Sequence, residues 1–143
     1  MTTARVATPE DAPALADLLG QLGYPTSAES LPTRVAALNA QGGVVFVAVA
    51  EEGRVVGLAS GARHATIHAD GEVAYITALV TDGNARRQGV GRALLAALEQ
   101  WALTHGCTRL SVTSAEHRAD AHAFYPRCGF PYTGRRFTKH LTP

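Results

Sequence analysis

Cysteines, aromatic residues and long apolar runs are all scarce in this 143-residue chain, and each shortage excludes something. Two cysteines, Cys107 and Cys128, cannot build a disulfide framework and lack metal-ligand spacing. Reduced thiols in a cytoplasmic protein are the expectation. No apolar stretch reaches the roughly 18 residues that a membrane span requires, so no membrane partner is expected. The opening Met1-Thr2-Thr3-Ala4-Arg5 has no apolar signal core, and Glu10 and Asp11 follow at once. Internal repeats and low-complexity tracts are missing too. A net charge of +1 does not indicate a nucleic-acid partner.

What is present suits one enzyme-sized domain over residues 1–143, with 46% apolar residues to build its core. The near-zero charge is unevenly spread. Residues 1–72 carry eight acids against four Lys/Arg, and residues 73–143 carry four acids against nine. An anionic ligand on the C-terminal half and a cationic one facing the N-terminal half would fit that split. Two solvated faces that differ by chance would fit it as well.

The most informative segment is Arg86-Arg87-Gln88-Gly89-Val90-Gly91-Arg92-Ala93. It follows an apolar run, Val73 to Val80, and opens a helical pattern in which Val90, Leu94, Leu98 and Trp101 share a face. Glycine in a first helical turn costs about 1 kcal/mol against alanine. Two of them make sense where a ligand must approach the backbone. Unpaired N–H groups at a helix start, with three arginines nearby, suit a phosphate. A dinucleotide fingerprint fails because Leu94 occupies its third glycine position and no acid follows at the expected strand end. A mononucleotide P-loop fails because Gly83 and Gly89 are one residue too far apart and Val90 replaces the lysine.

The segment resembles the Arg/Gln-x-x-Gly-x-Gly/Ala pyrophosphate loop of the GCN5-related N-acetyltransferase (GNAT) superfamily, matched by Arg86, Gly89 and Gly91. Downstream, Ala121-His122-Ala123-Phe124-Tyr125-Pro126-Arg127-Cys128-Gly129-Phe130 is similar to the Ala-x-x-Phe-Tyr-x-x-x-Gly-Phe segment of the same superfamily. The resemblance implies an α/β (α+β) fold with a mixed, mostly antiparallel sheet of six to seven strands flanked by about four helices.

Local patterns predict the elements. Strands are expected over Ala4–Thr8, Val44–Ala50, Arg54–His64, Glu72–Val80 and Thr108–Thr113, with a last strand or pair near Pro131–Leu141. Helices are expected from Pro9, over Ala28–Asn39 with Ser27 as cap, over Gly89–His105 and over Ala119–Arg127. Ala65 to Gly71 reads as a polar loop.

The resemblance implies acetyl-coenzyme A as donor and a primary amine as acceptor, with direct attack of the amine on the thioester; from the residues themselves, no metal is expected. Backbone N–H groups from Arg87 through Gln88, Gly89, Val90, Gly91 and Arg92 to Ala93 would hold the pyrophosphate, helped by the Arg86, Arg87 and Arg92 side chains. The strand end Leu79-Val80-Thr81 would pair with the pantetheine arm and offer an N–H to the acetyl oxygen. Ala121 and Phe124 would line the cofactor. Arg118, where many relatives carry an asparagine, could reach a phosphate. Tyr125 is the expected general acid for the departing thiolate. Pro126 departs from the usual helical residue and bears on how Tyr125 is aimed.

For the base, Tyr75 falls where the histone-modifying branch carries its glutamate, and Glu72 is the nearest carboxylate, acting through water. His64 and His68 have helical metal spacing but no third ligand. The segment Gln21-Leu22-Gly23-Tyr24-Pro25 would roof the acceptor site, with Tyr24 and Tyr75 touching substrate. A small-molecule amine is favoured over a protein N-terminus or lysine, a homodimer is kept open, and a catalytically silent acyl-coenzyme A sensor is the competing class.

Overall fold

The computed structural model describes residues 2–85, 88–112, 119–134 and 137–141. Among these residues, four α-helices and five strands form in the order β1 (Thr3–Val6), α1 (Ala12–Leu22), α2 (Leu31–Ala40), β2 (Val44–Val49), β3 (Val55–Thr66), β4 (Ala69–Thr81), α3 (Val90–Thr104), β5 (Leu110–Val112) and α4 (Ala119–Arg127). The strands make one sheet in sequence order, and β1 to β4 pair antiparallel. The chain divides into two compact units, residues 1–111 and 112–143. No helix among the described residues is long and apolar enough to cross a membrane.

Both N-terminal helices start with a tighter turn than the sequence pattern suggests. Pro9–Asp11 is a 3-10 turn, because the Asp11 carboxylate accepts the Thr8 N–H at 2.7 Å and pairs with Arg5 at 2.8 Å. Ala28–Ser30 is a second 3-10 turn ahead of α2. That delay puts Pro32 in the first α-turn, where its missing N–H costs nothing.

The expected polar loop at Ala65–Gly71 is instead the tip of a long hairpin. Strand β3 runs to Thr66 and β4 starts at Ala69, with Thr66 opposite Ala69 and Ala65 opposite Glu72. The two extra residues, Asp70 and Gly71, are taken up as a bulge, which Gly71 permits with φ +75°. The expected last strand is not found among the described residues of 131–141. Its apolar side chains are exposed there, with Phe137 at 92% and Leu141 at 88%.

Two layers cover the sheet of the first unit. On one face Leu15, Leu18 and Leu31 pack on Val45, Val47 and Leu58. On the other lies α3, whose Val90, Leu94 and Leu98 are fully buried. A Cβ at Gly57 of β3 would come within 2.6 Å of Val90, so the absence of a side chain there sets how closely α3 approaches. Burial of a leucine stabilises by about 1.5–3 kcal/mol, so these layers fix the frame that carries the site.

Candidate active site

Strand β4 and the start of α3 carry most of the sequence-predicted residues of the first unit. Leu79, Val80 and Thr81 are half-buried and pair with Ala59, Leu58 and Gly57 of β3. On the other edge, the Ala74 N–H donates to the Arg109 carbonyl at 3.0 Å, just before β5. With three residues, β5 is too short to reach Leu79 from there. The edge of the β4 end is therefore not covered by β5.

Upstream of this end the ladder is irregular. Ser60 pairs with Ala78 and Gly61 with Ile76, so Thr77 is an extra residue in β4. Its hydroxyl meets that of the buried Ser60 at 2.6 Å. Nothing in the local sequence marks this bulge.

Beyond β4, a 3-10 turn at Gly83–Ala85 leads to the glycine-rich segment. Gly89 is the N-cap of α3 with φ +76°, a left-handed conformation that an L side chain rarely adopts. No atom lies within 4 Å of where its Cβ would be, so the backbone faces open space. The first bond across the helix start runs from the Ala93 N–H to the Gly89 carbonyl at 3.0 Å. Ala93 is thereby satisfied, and the Val90, Gly91 and Arg92 N–H groups are the ones left ahead of the intrahelical ladder. The helix dipole places partial positive charge at the same end. Gln88 and the Arg92 side chain are exposed. Arg86, Arg87 and Arg118 lie outside the described residues.

A polar clamp, not anticipated from sequence, holds the turn between β4 and α3. The Asp82 carboxylate accepts from Arg54 at 2.9 Å, from Gln21 at 3.3 Å and from the Asn84 N–H at 3.2 Å. The Gln21 carbonyl oxygen in turn accepts the Gly83 N–H at 2.9 Å. These contacts hold the Asp82 carboxyl below its usual range, the Asn84 N–H foremost, followed by Gln21 and Arg54. Gln21 and Gly83 are 62 residues apart, a separation that no local pattern bridges.

The two candidate residues of β4 face opposite ways. Glu72 shares a face with Ala74, which packs against Ala102 of α3, and it pairs with Arg63. Tyr75 points to the α1–α2 side, where its ring stacks on His64 with centroids 4.8 Å apart. Tyr24, just beyond the end of α1, is 63% exposed. On that side α1, α2 and the sheet line an open-sided cavity of about 130 Å³ that reaches Ser60 and Ala78.

In the second unit, α4 carries Phe124 and Tyr125, both half-buried. The Tyr125 ring meets Phe124 edge-on at 5.4 Å and Phe130 at 5.9 Å. The helix accommodates Pro126 one residue before its end, and Ala121 lies in its first turn. The Phe130 N–H closes the turn on the Tyr125 carbonyl at 2.9 Å.

Comparison with known proteins decides the family. Residues 13–130 match the model of the acetyltransferase (GNAT) family. The chain belongs to the GNAT family. It is accordingly an acetyl-coenzyme A-dependent N-acetyltransferase. An aminoglycoside N(6')-acetyltransferase type 1 from Stenotrophomonas maltophilia is 36% identical over 137 residues, covering 93% of this chain and 88% of that protein. The crystal structure of a Trypanosoma brucei acetyltransferase aligns at TM-score 0.84 and 27% identity, over 99% of this chain and 100% of that one. The structure of AAC(6')-Iy in complex with the bisubstrate analog CoA-S-monomethyl-acetylneamine aligns at TM-score 0.84 over 100% of this chain and 99% of its own. At 17% identity it shares the GNAT fold alone. The GNAT motifs explain why Gly89 and the Phe124-Tyr125 pair were legible in the sequence, whereas the Asp82 clamp and the Thr77 bulge were not.

Proposed function

We propose that this GNAT protein moves the acetyl group of acetyl-coenzyme A onto the primary amine of a small molecule by direct attack, within a single domain over residues 1–143. The observation that carries the reading is the α3 start: three N–H groups ahead of the helical ladder, capped by a left-handed Gly89 that faces open space. In this reading Val90, Gly91 and Arg92 hold the pyrophosphate, with Arg86, Arg87, Gln88 and Arg118 adding polar or charged contacts. The edge at Leu79–Thr81, which β5 does not reach, takes the pantetheine arm as a neighbouring strand. An N–H on that edge polarises the acetyl carbonyl.

Acetyl-coenzyme A supplies the thioester. The amine nitrogen bonds to its carbonyl carbon, the carbon–sulfur bond breaks, and the sulfur takes its proton from the Tyr125 hydroxyl. Ala121 and Phe124 flank the cofactor on α4, and Tyr24 and Tyr75 contact the acceptor. The nitrogen loses one proton before attack and a second after bonding to carbon, the second balancing the proton that Tyr125 gives to sulfur. Glu72 faces α3 and is engaged by Arg63, which favours an amine that gives its proton to solvent before attack. Glu72 acting through a water chain is the second reading.

Release of free thiol from acetyl-coenzyme A in the presence of an amine panel tests the transfer. Gly91→Glu places a carboxylate at the helix start, and it is expected to abolish coenzyme A binding while the domain stays folded. Calorimetry showing unchanged affinity in that variant would remove the pyrophosphate assignment.

A further inference from the structure

The cavity beside β4 is built from apolar side chains: Leu15 and Leu19 of α1, Leu31, Val35 and Leu38 of α2, and Leu58 of the sheet among them. Its inner wall reaches Ser60 and Ala78, the pair that adjoins the Thr77 bulge. At about 130 Å³ it is close to the roughly 150 Å³ of an apolar cavity that takes benzene, so it holds about half a dozen heavy atoms. Arg34 is the one charged side chain on its wall, and it has no ion-pair or hydrogen-bond partner among the described residues. Among the described residues no carboxylate lines the cavity.

An aminoglycoside carries several positive charges on sugar rings. Against this wall it would find a guanidinium, no counter-charge and no polar group beyond Ser60. The complementary ligand has the reverse chemistry. We infer, resting on the transfer proposed above, that the acceptor is a small amine bearing a compact apolar group and a carboxylate, the class to which leucine belongs. The apolar group fills the cavity, the carboxylate pairs with Arg34, and the amine, on the same carbon as the carboxylate, lies beside that pair. Leucine's four-carbon side chain fits the volume, and a bidentate guanidinium–carboxylate pair with Arg34 fixes its orientation.

Three acceptors separate the contributions: L-leucine, isoamylamine (the same chain without the carboxylate) and kanamycin. With acetyl-coenzyme A, kcat/KM is expected to fall in that order. Arg34→Ala should raise the KM for leucine by about tenfold or more while leaving isoamylamine within about twofold. Leucine should also shift the methyl resonances of Leu15, Leu19 and Leu38 in the unmodified protein. A preference for kanamycin, an equal effect of Arg34→Ala on both amines, or unmoved methyl resonances would each overturn the assignment. If leucine moves those resonances in an Arg34-dependent way but no amine is acetylated, the pocket assignment stands and the transfer reading falls.

Discussion

At Tyr125 a proposed chemical role and an observed packing role share one ring. The ring lies edge-on to Phe124 and Phe130, and phenylalanine would keep those contacts while removing the hydroxyl. Tyr125→Phe should therefore lower kcat by about 100-fold with affinity for acetyl-coenzyme A nearly kept. Equal losses of binding and rate, measured by calorimetry and initial rates, would make the residue a packing one. Glu72 invites the opposite expectation. Because its carboxylate is engaged by Arg63 on the α3 face, Glu72→Gln should leave the acidic limb of the rate profile in place. That limb should track the acceptor's own pKa when two amines of different basicity are compared. A limb that moves with the substitution would restore Glu72 as a base acting through water. Tyr125 was legible because it sits inside a contiguous motif. The face that Glu72 occupies was not, since it depends on the register of β4 against β3.

At the scale of elements, the β4-to-α3 junction is held by groups from three parts of the chain. Asp82 ties Gln21 of α1 and Arg54, which precedes β3, to the turn that delivers the glycine-rich segment. Asp82→Ala frees that turn without touching the α3 start itself. The KM for acetyl-coenzyme A should then rise by about tenfold with a smaller change in kcat, read from initial rates at varied acetyl-coenzyme A. A change confined to kcat would separate the clamp from cofactor binding. The elements themselves were largely readable. Periodicity located α1 and α3, and the β-branched run Val44–Val49 located β2. The hairpin tip was misread because Asp70 and Gly71 have turn chemistry, yet here they form a bulge inside a continuous pairing.

Across the whole molecule, one buried carboxylate carries an acid-sensitive share of stability. Asp11 is 6% exposed, and its carboxyl is held below the usual range mainly by Arg5, with the Thr8 N–H assisting against burial. A depressed folded-state pKa contributes stability that is present above the unfolded value near 3.9 and is lost as pH falls through the folded one. Asp11→Asn should cost about 1–2 kcal/mol at pH 7, or about 5 °C in Tm. The gap to the unmodified protein should close as pH drops below about 4. A gap that stays constant in thermal melts from pH 7 to pH 3 would assign the effect to packing. Sequence alone determined the resemblance to the GNAT family, the glycine-rich helix start and the position of Tyr125 in its motif, because each depends on residues adjacent in the chain. A pattern of contiguous residues carries its own geometry through backbone dihedrals and helical period. Tertiary structure alone decided the face of Glu72, the Asp82 clamp, the close approach over Gly57 and the apolar cavity beneath Arg34. Each of these joins residues distant in sequence, and their distances are set by sheet register and helix packing, which no local run of residues encodes.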